Sequence, residues 1–173
     1  MIRFTKYTQV DKVVPKPKNF PRFVYNLVPF SEIPSHVNST ARFLDVIGYV
    51  TAISNVTKVF SGNKLQLRRN ITIKDRNGDS LQVSLIGQRA MEFPEQMVLK
   101  IAKQSPVIVI FVGMLMKTGF LSGSAACRWY INEEIEDIQR FYESLPLEIE
   151  DMQIVQQQSE DQNVDKVQKK TLL

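Results

Sequence analysis

The chain has 173 residues, of which 43% are hydrophobic, and a formal net charge of +4, a size that suits one domain with a single core. No apolar run reaches the roughly 18 residues that span a bilayer, and the first residues lack the apolar stretch of a secretion signal, so we expect an intracellular protein that does not enter membranes. The single cysteine, Cys127, and the single histidine, His36, exclude an internal disulfide and a Cys/His metal cluster. No phosphate-binding loop or nucleophile motif occurs, so we expect no enzyme, no metal and no cofactor.

Residues 1–22 are predicted to form an extended basic arm. Three prolines interrupt any helix in this stretch, and five lysine and arginine side chains between residues 6 and 22 keep it solvated. Directly after the arm, Phe23, Tyr25 and Leu27 alternate with their neighbours. This pattern favours a short strand or a lid over the edge of the domain.

Three strands follow the arm. The first begins near Phe43, has the two-residue period of a strand and is expected to bend at Gly48. A polar loop is predicted from about residue 54 to residue 66. The second strand, 68–75, and the third, 80–87, are joined by Asp75-Arg76-Asn77-Gly78-Asp79, whose Asn-Gly pair suits a tight hairpin.

The second half of the domain alternates helical and strand patterns. Residues 89–103 are predicted to form a short amphipathic helix with Met97, Val98 and Ile101 on its buried side. Strands at 107–115 and 123–131 follow. A last helix is expected to open at Asn132 as its N-cap, with these residues facing inward: Ile135, Ile138 and Tyr142.

Three strands, a helix and two more strands are the order of an OB fold, so the sequence predicts an all-β class: a five-stranded OB-fold barrel with a capping helix between strands 3 and 4 and a C-terminal helix. The predicted domain is 23–146. Residues 147–173, which are acidic and glutamine-rich, are predicted to be a disordered tail.

Alternation along the second and third strands indicates which side chains reach the binding groove of such a barrel. Ile71, Ile73, Leu81, Val83 and Leu85 are expected inside. The outer face is expected to carry a polar set that is basic at one end: Arg68, Asn70, Thr72, Gln82, Ser84 and Ile86.

Basic and aromatic residues are predicted in the two loops that flank this face. They are Lys58, Phe60 and Lys64 before the second strand, and Lys117 and Phe120 between the fourth and fifth. Cations neutralise phosphates, and exposed rings stack on bases, so this pattern is typical of single-strand binding.

Several of these positions have a structural interpretation as well. Of the neighbours Arg68 and Arg69, at most one can point into the groove, and the phasing favours Arg68. Phe60 and Phe120 could tuck into the barrel instead of stacking, and Trp129 and Tyr130 are expected to be core and barrel wall.

Several strings of the sequence resemble the single-strand-binding OB domains of the replication protein A large subunit, especially the second of its central pair and the related plant proteins. The similarity covers about residues 22–145. The strings are Leu27-Val28-Pro29-Phe30-Ser31-Glu32-Ile33, Asp45-Val46-Ile47-Gly48, Arg68-Arg69-Asn70-Ile71-Thr72-Ile73, Val83-Ser84-Leu85-Ile86-Gly87-Gln88-Arg89-Ala90, Leu121-Ser122-Gly123-Ser124-Ala125-Ala126 and Tyr130-Ile131-Asn132-Glu133-Glu134-Ile135.

The resemblance implies a non-catalytic protein of the nucleus that binds single-stranded DNA, or RNA, in replication, repair or recombination, with other replication protein A-like subunits as partners. It also implies stacking near Phe120 and a small hydroxyl residue at Ser84. Ile86 departs from the family pattern, which has a stacking tryptophan there. Two alternatives remain open: a protein-interaction module that uses the groove, and a truncated paralogue with reduced nucleic-acid binding.

Overall fold

The structure, a computed structural model, describes residues 3–15, 17–18, 20–37, 42–61, 64–123 and 125–159. Its elements, in chain order, are a 3-10 helix (Phe30–His36), β1 (Leu44–Ser54), β2 (Thr57–Ser61), β3 (Lys64–Lys74), β4 (Ser80–Ile86), α1 (Gln88–Glu92), α2 (Glu95–Ala102), β5 (Ile108–Lys117), β6 (Phe120–Gly123), β7 (Arg128–Ile131), α3 (Glu136–Glu143) and β8 (Gln153–Val155). Within these ranges, no helix has both the length and the apolar character to cross a membrane.

Five strands close into a barrel. β1 pairs antiparallel with β3 and with β5, β3 pairs antiparallel with β4, and β5 pairs antiparallel with β6. A parallel pairing of β4 with β6 completes the ring. The helices α1 and α2 lie between the third and fourth barrel strands in chain order, which is the OB arrangement. The predicted fold is therefore confirmed.

The barrel interior holds the alternate residues that the period-two pattern predicts. Ile71, Ile73, Val83 and Leu85 are fully buried, and Leu81 packs against the same core while partly buried. Each strand thus sends one set of side chains inward and leaves the other set outside.

A second apolar cluster lies outside the barrel wall. It joins Tyr49, Ile108 and Ile110 to Ile135, Ile138 and Phe141 around α3, and Phe23, Tyr25 and Leu27 pack against it. The segment that precedes the 3-10 helix therefore forms the predicted lid. Trp129 packs against the barrel core and Tyr130 against the second cluster, as expected of core and wall residues.

The strands differ from the prediction at two places. The predicted polar loop from residue 54 to residue 66 contains β2 and the start of β3, which pair as a hairpin, so a polar strand was mistaken for a loop. The predicted fifth strand is two strands, β6 and β7, because β6 pairs with β4 and the end of β5 whereas β7 pairs with the first half of β5.

The first strand also bends differently. Its register shifts fall between Leu44 and Val46 and between Val50 and Ala52, not at Gly48. Gly48 has another structural role. A Cβ atom there would lie 2.8 Å from the Lys74 backbone oxygen, so glycine permits the close approach of β1 and β3.

The predicted helices also differ from the observed ones in their bounds and in which side chains they bury. The segment 89–103 is broken into α1 and α2 at Phe93 and Pro94, and Met97, expected inside, is 44% exposed. The last helix begins at Glu136. Tyr142, also expected inside, is 47% exposed, and Phe141 takes the buried position.

Asn132, the expected N-cap, instead joins two backbone segments. Its Oδ1 accepts a hydrogen bond from Ile108 N at 2.6 Å, and its Nδ2 donates to Pro106 O at 3.0 Å. A side chain that bonds the backbone elsewhere is not available to cap a helix.

The structure also differs from the prediction over part of the tail. Residues 147–159 were predicted to be disordered, but β8 pairs in parallel with the end of β1. The remaining tail positions, 160–173, lie outside the described residues.

Candidate nucleic-acid interface

The outward side chains of β3, β4 and β6, with those at the end of β5, form one continuous surface, called here the groove face. Cross-strand partners share a face. The pairs Arg68 with Ile86, Asn70 with Ser84, and Thr72 with Gln82 therefore lie side by side. Ser84 is in turn opposite Ser122 of β6. The six strand residues predicted for the groove are thus brought together.

The hairpin of β5 and β6 adds two more of the predicted residues. Lys117 is paired with Phe120 at its tip. Side chains alternate along β6, so Phe120 faces the same way as Ser122. Phe120 therefore lies on the groove face, beside Gln82. Both Lys117 and Phe120 are half-buried. The ring of Phe120 is therefore partly open to solvent at one end of the groove face.

The hairpin of β2 and β3 separates its three predicted residues. Lys64 is exposed and, by alternation, lies on the groove face with Arg68. Lys58 is paired with Leu67, and Phe60 with Leu65, so both residues lie on the opposite face of the hairpin. Phe60 is 50% exposed. The structure therefore does not bring Lys58 and Phe60 together with the groove residues, because they belong to a strand whose alternation turns them away.

Arg68 is half-buried on the groove face. Its Nε atom is buried and has no hydrogen-bond partner among the described residues, and none of the ion pairs found there includes its guanidinium. A buried donor without an acceptor is costly. The half-buried guanidinium also keeps a positive charge that no acidic side chain among the described residues balances.

Arg69 has the opposite orientation, as alternation requires. It is 5% exposed. Its Nε donates to Ala90 O at 3.0 Å, and its Nη1 donates to Ser54 O at 3.2 Å and lies 2.8 Å from the Glu95 carboxylate. Arg69 therefore links β3 to β1 and to the helices α1 and α2. Arg68 is the arginine of the groove face.

Asn70 and Ser84 lie on the groove face but are not open to solvent, contrary to the prediction. They are 9% and 2% exposed. Ser84 Oγ donates to Asn70 Oδ1 at 2.5 Å, and Asn70 Nδ2 donates to Gln157 Oε1 at 2.9 Å. Gln157 of the C-terminal segment, residues Gln153–Ser159, therefore lies against the centre of the face and occupies the Asn70 amide.

Gln157 is the residue at this site that the sequence did not indicate. The run Gln156-Gln157-Gln158 suggested disorder, since polar residues offer little apolar area for packing. The only sequence signal for a strand was Met152, Ile154 and Val155 just before it. Met152 does pack against the barrel core.

The groove face carries no acidic residue at the outward positions of β3 and β4, as the sequence of those two strands shows. At the edge of the groove face, Lys74 forms an ion pair with Glu150, which precedes β8. The hydrogen bond to Glu150 raises the pKa of Lys74 above its ordinary value. The remaining charge on the strands of the face is therefore positive.

Comparison with known proteins agrees with this geometry. A family model described as the replication protein A OB domain matches residues 35–117, which run from the end of the 3-10 helix to the end of β5. The barrel is an OB fold, and its stretch from residue 35 to residue 117 is similar to the replication protein A OB domain.

One solved structure that matches this OB fold is a replication protein A heterotrimer bound to ssDNA. The superposition has a TM-score of 0.56 and 21% sequence identity. It covers 70% of this chain but only 28% of the matched chain. The comparison with curated proteins found no match.

Proposed function

We propose that this OB fold binds single-stranded DNA along the groove face and is not an enzyme. The observation that carries the proposal is the half-buried Arg68 guanidinium, which has no ion pair among the described residues, on a face without acidic side chains. A phosphate oxygen would neutralise that guanidinium. The replication protein A OB model and the ssDNA-bound structural neighbour support the same ligand.

The proposed contacts extend along the face in both directions. We expect phosphate contacts from Lys64, which lies beyond Arg68, and from Lys117 at the far end. Between them, Thr72 and Gln82 offer polar groups. Lys58 and Phe60 would contribute only if the β2–β3 hairpin twists over the groove. We place the activity in DNA replication, repair or recombination in the nucleus, beside other replication protein A-like subunits.

Aromatic stacking is limited on this face. Phe120 is the one aromatic ring of the predicted site that lies there, while Ile86 presents an aliphatic side chain beside Arg68. Since each base–aromatic stack contributes about 1–3 kcal/mol, we expect weaker binding than a site with two rings would have.

The test is a titration of a fluorescent dT oligomer at several salt concentrations. Arg68→Ala should bind more weakly and lower the slope of log K against log salt by about 0.7, the value for one phosphate contact on a single strand. Lys100→Ala removes the same charge from an exposed position on α2 and is the matched control. Equal affinity and equal slope in both variants would contradict the role of Arg68.

Phe120→Ala tests the stacking contact separately. The variant should lose about 1–3 kcal/mol of binding free energy if the ring stacks on a base. A folded Phe120→Ala protein with the affinity of the wild type would show that the ring only packs against the barrel.

One observation favours a second candidate, a peptide-binding module. An extended segment of the chain itself, β8, already pairs with the end of β1, and strand addition is a common mode of peptide recognition. Pull-down of a protein partner that an excess of a synthetic Gln153–Ser159 peptide displaces, with no nucleic acid retained by the protein, would support this alternative.

A further inference from the structure

We propose that the C-terminal segment Gln153–Ser159 is an internal competitor of nucleic acid for the groove face, and that a bound strand must displace it. This inference rests on the proposed function. It names a form of regulation that is built into the same site.

Backbone pairing positions the segment. β8 runs parallel to β1, with Gln153 opposite Ala52 and Val155 opposite Ser54. Beyond β8, the Asn55 side chain holds the Gln157 backbone on both sides. Its Oδ1 accepts from Gln157 N at 2.7 Å, and its Nδ2 donates to Gln157 O at 3.0 Å.

The segment then makes the kinds of contact that nucleic acid would make. The Gln157 amide oxygen accepts from Asn70 Nδ2, as a base carbonyl would. Just before the segment, the Glu150 carboxylate pairs with Lys74, as a phosphate would. Lys74 follows Thr72 on the outward side of β3, so both contacts lie on the strand that carries Arg68.

The covered groups are not accessible to a ligand while the segment is in place. Asn70 and Ser84 are 9% and 2% exposed and bond to each other, and Asn70 also donates to Gln157. A strand that follows the face from Arg68 to Gln82 must pass over them. Displacement of the segment releases the Asn70 donor for a base or phosphate oxygen.

The segment is held in a way that permits displacement. Ile154 is 54% and Val155 39% exposed, so β8 itself buries little apolar surface. Beyond β8, the segment is held by the hydrogen bonds of Gln157 to Asn55 and Asn70, and elements with few buried apolar contacts open more easily than core strands.

The experiment compares two adjacent glutamines in the whole 173-residue chain. Gln157→Ala removes the side-chain contact to Asn70, whereas Gln156→Ala, at an exposed position, is the matched control. Asn55→Ala removes both bonds that hold the Gln157 backbone. Since two ordinary hydrogen bonds correspond to about a tenfold change in an equilibrium constant, Asn55→Ala should bind a labelled dT oligomer up to about tenfold more tightly.

A second readout follows the segment itself. Addition of the oligomer to the wild type should accelerate hydrogen exchange at the Gln157 amide, because its bond to Asn55 is lost. A merely adjacent segment would show unchanged or slower exchange.

The outcomes separate this inference from the function on which it rests. Tighter binding by Gln157→Ala and Asn55→Ala, with Gln156→Ala equal to the wild type, supports competition. If the wild type binds and the two variants bind equally or more weakly, the segment is not a competitor, although the chain still binds DNA. If none of the proteins binds, both proposals fall together.

Discussion

The adjacent residues Arg68 and Arg69 provide a sharp test of the strand phasing, because they should respond to the same substitution in different ways. Arg69→Ala removes a buried guanidinium that bonds two backbone oxygens, Ala90 O and Ser54 O, and pairs with Glu95. The alanine leaves those oxygens without their donor and Glu95 without its cation. Arg68→Ala removes a guanidinium that has no ion pair among the described residues.

The expected magnitudes follow from these contacts. Loss of one partner of a buried ion pair costs about 3–5 kcal/mol, and hydrogen bonds from a charged group contribute about 1.5–3 kcal/mol each. Because one guanidinium makes all of these contacts, the terms overlap, and we expect Arg69→Ala to lose about 3–5 kcal/mol of unfolding free energy. Arg68→Ala should remain within about 0.5 kcal/mol of the wild type or gain slightly, since the substitution removes a buried donor without an acceptor.

Urea unfolding followed by circular dichroism measures both variants under the same conditions. We predict a much lower urea midpoint for Arg69→Ala and an unchanged midpoint for Arg68→Ala. Equal midpoints for the two variants, or a larger loss in Arg68→Ala, would refute the assignment of Arg68 to the groove face and Arg69 to the interior.

Three further predictions concern residues away from the groove face. Gly48→Ala should lose about 1–3 kcal/mol of stability in urea unfolding, because the new Cβ would meet the Lys74 backbone oxygen. Cys127 should resist a thiol reagent until the protein unfolds, since burial raises the pKa of its thiol. Burial and the hydrogen bond to Asp137 raise the pKa of Tyr25 to about 12. Because the tyrosine of the unfolded chain ionises first, the free energy of unfolding should fall between pH 10 and about 12. Tyr25→Phe should reduce this fall.

Each of these predictions has a contradicting outcome. A Gly48→Ala protein as stable as the wild type would show that β1 and β3 can separate without cost. Rapid labelling of Cys127 in the native state would mean that the β6–β7 region opens readily. An identical alkaline stability profile for Tyr25→Phe and the wild type would remove Tyr25 as the source of the pH dependence.

The sequence predicted the barrel because its strands obey one strong rule. A two-residue alternation that buries Ile71, Ile73, Val83 and Leu85 fixes both the strand and its inward face. The same alternation correctly separated Arg68 from Arg69. Local patterns of this kind carry their information within a few residues.

The errors arose where tertiary contacts override local pattern. Polar β2 looks like a loop until its pairing with β3 is known. Asn132 suits a helix N-cap, but its amide instead bonds the backbone at Pro106 and Ile108. Met97 follows a helical period, yet the break at Phe93 and Pro94 sets the position of α2.

The sequence predicted the strand residues of the candidate site, but it did not predict the contact that Gln157 makes with them. Nine of the predicted residues, all in β3, β4, β5 and β6, share the groove face. Gln157 could not be foreseen, because its place depends on Asn55 and Asn70, which lie 102 and 87 residues away in the chain. Long-range amide bonds leave no periodic signal in a polar run.

Amide chemical shifts can map directly where a dT oligomer contacts the protein. We predict the largest changes at residues 68–72, 82–86 and 117–122, with further changes at 153–159 as that segment is displaced. Changes confined to the arm before residue 22 or to α3, with the groove face unaffected, would contradict this prediction.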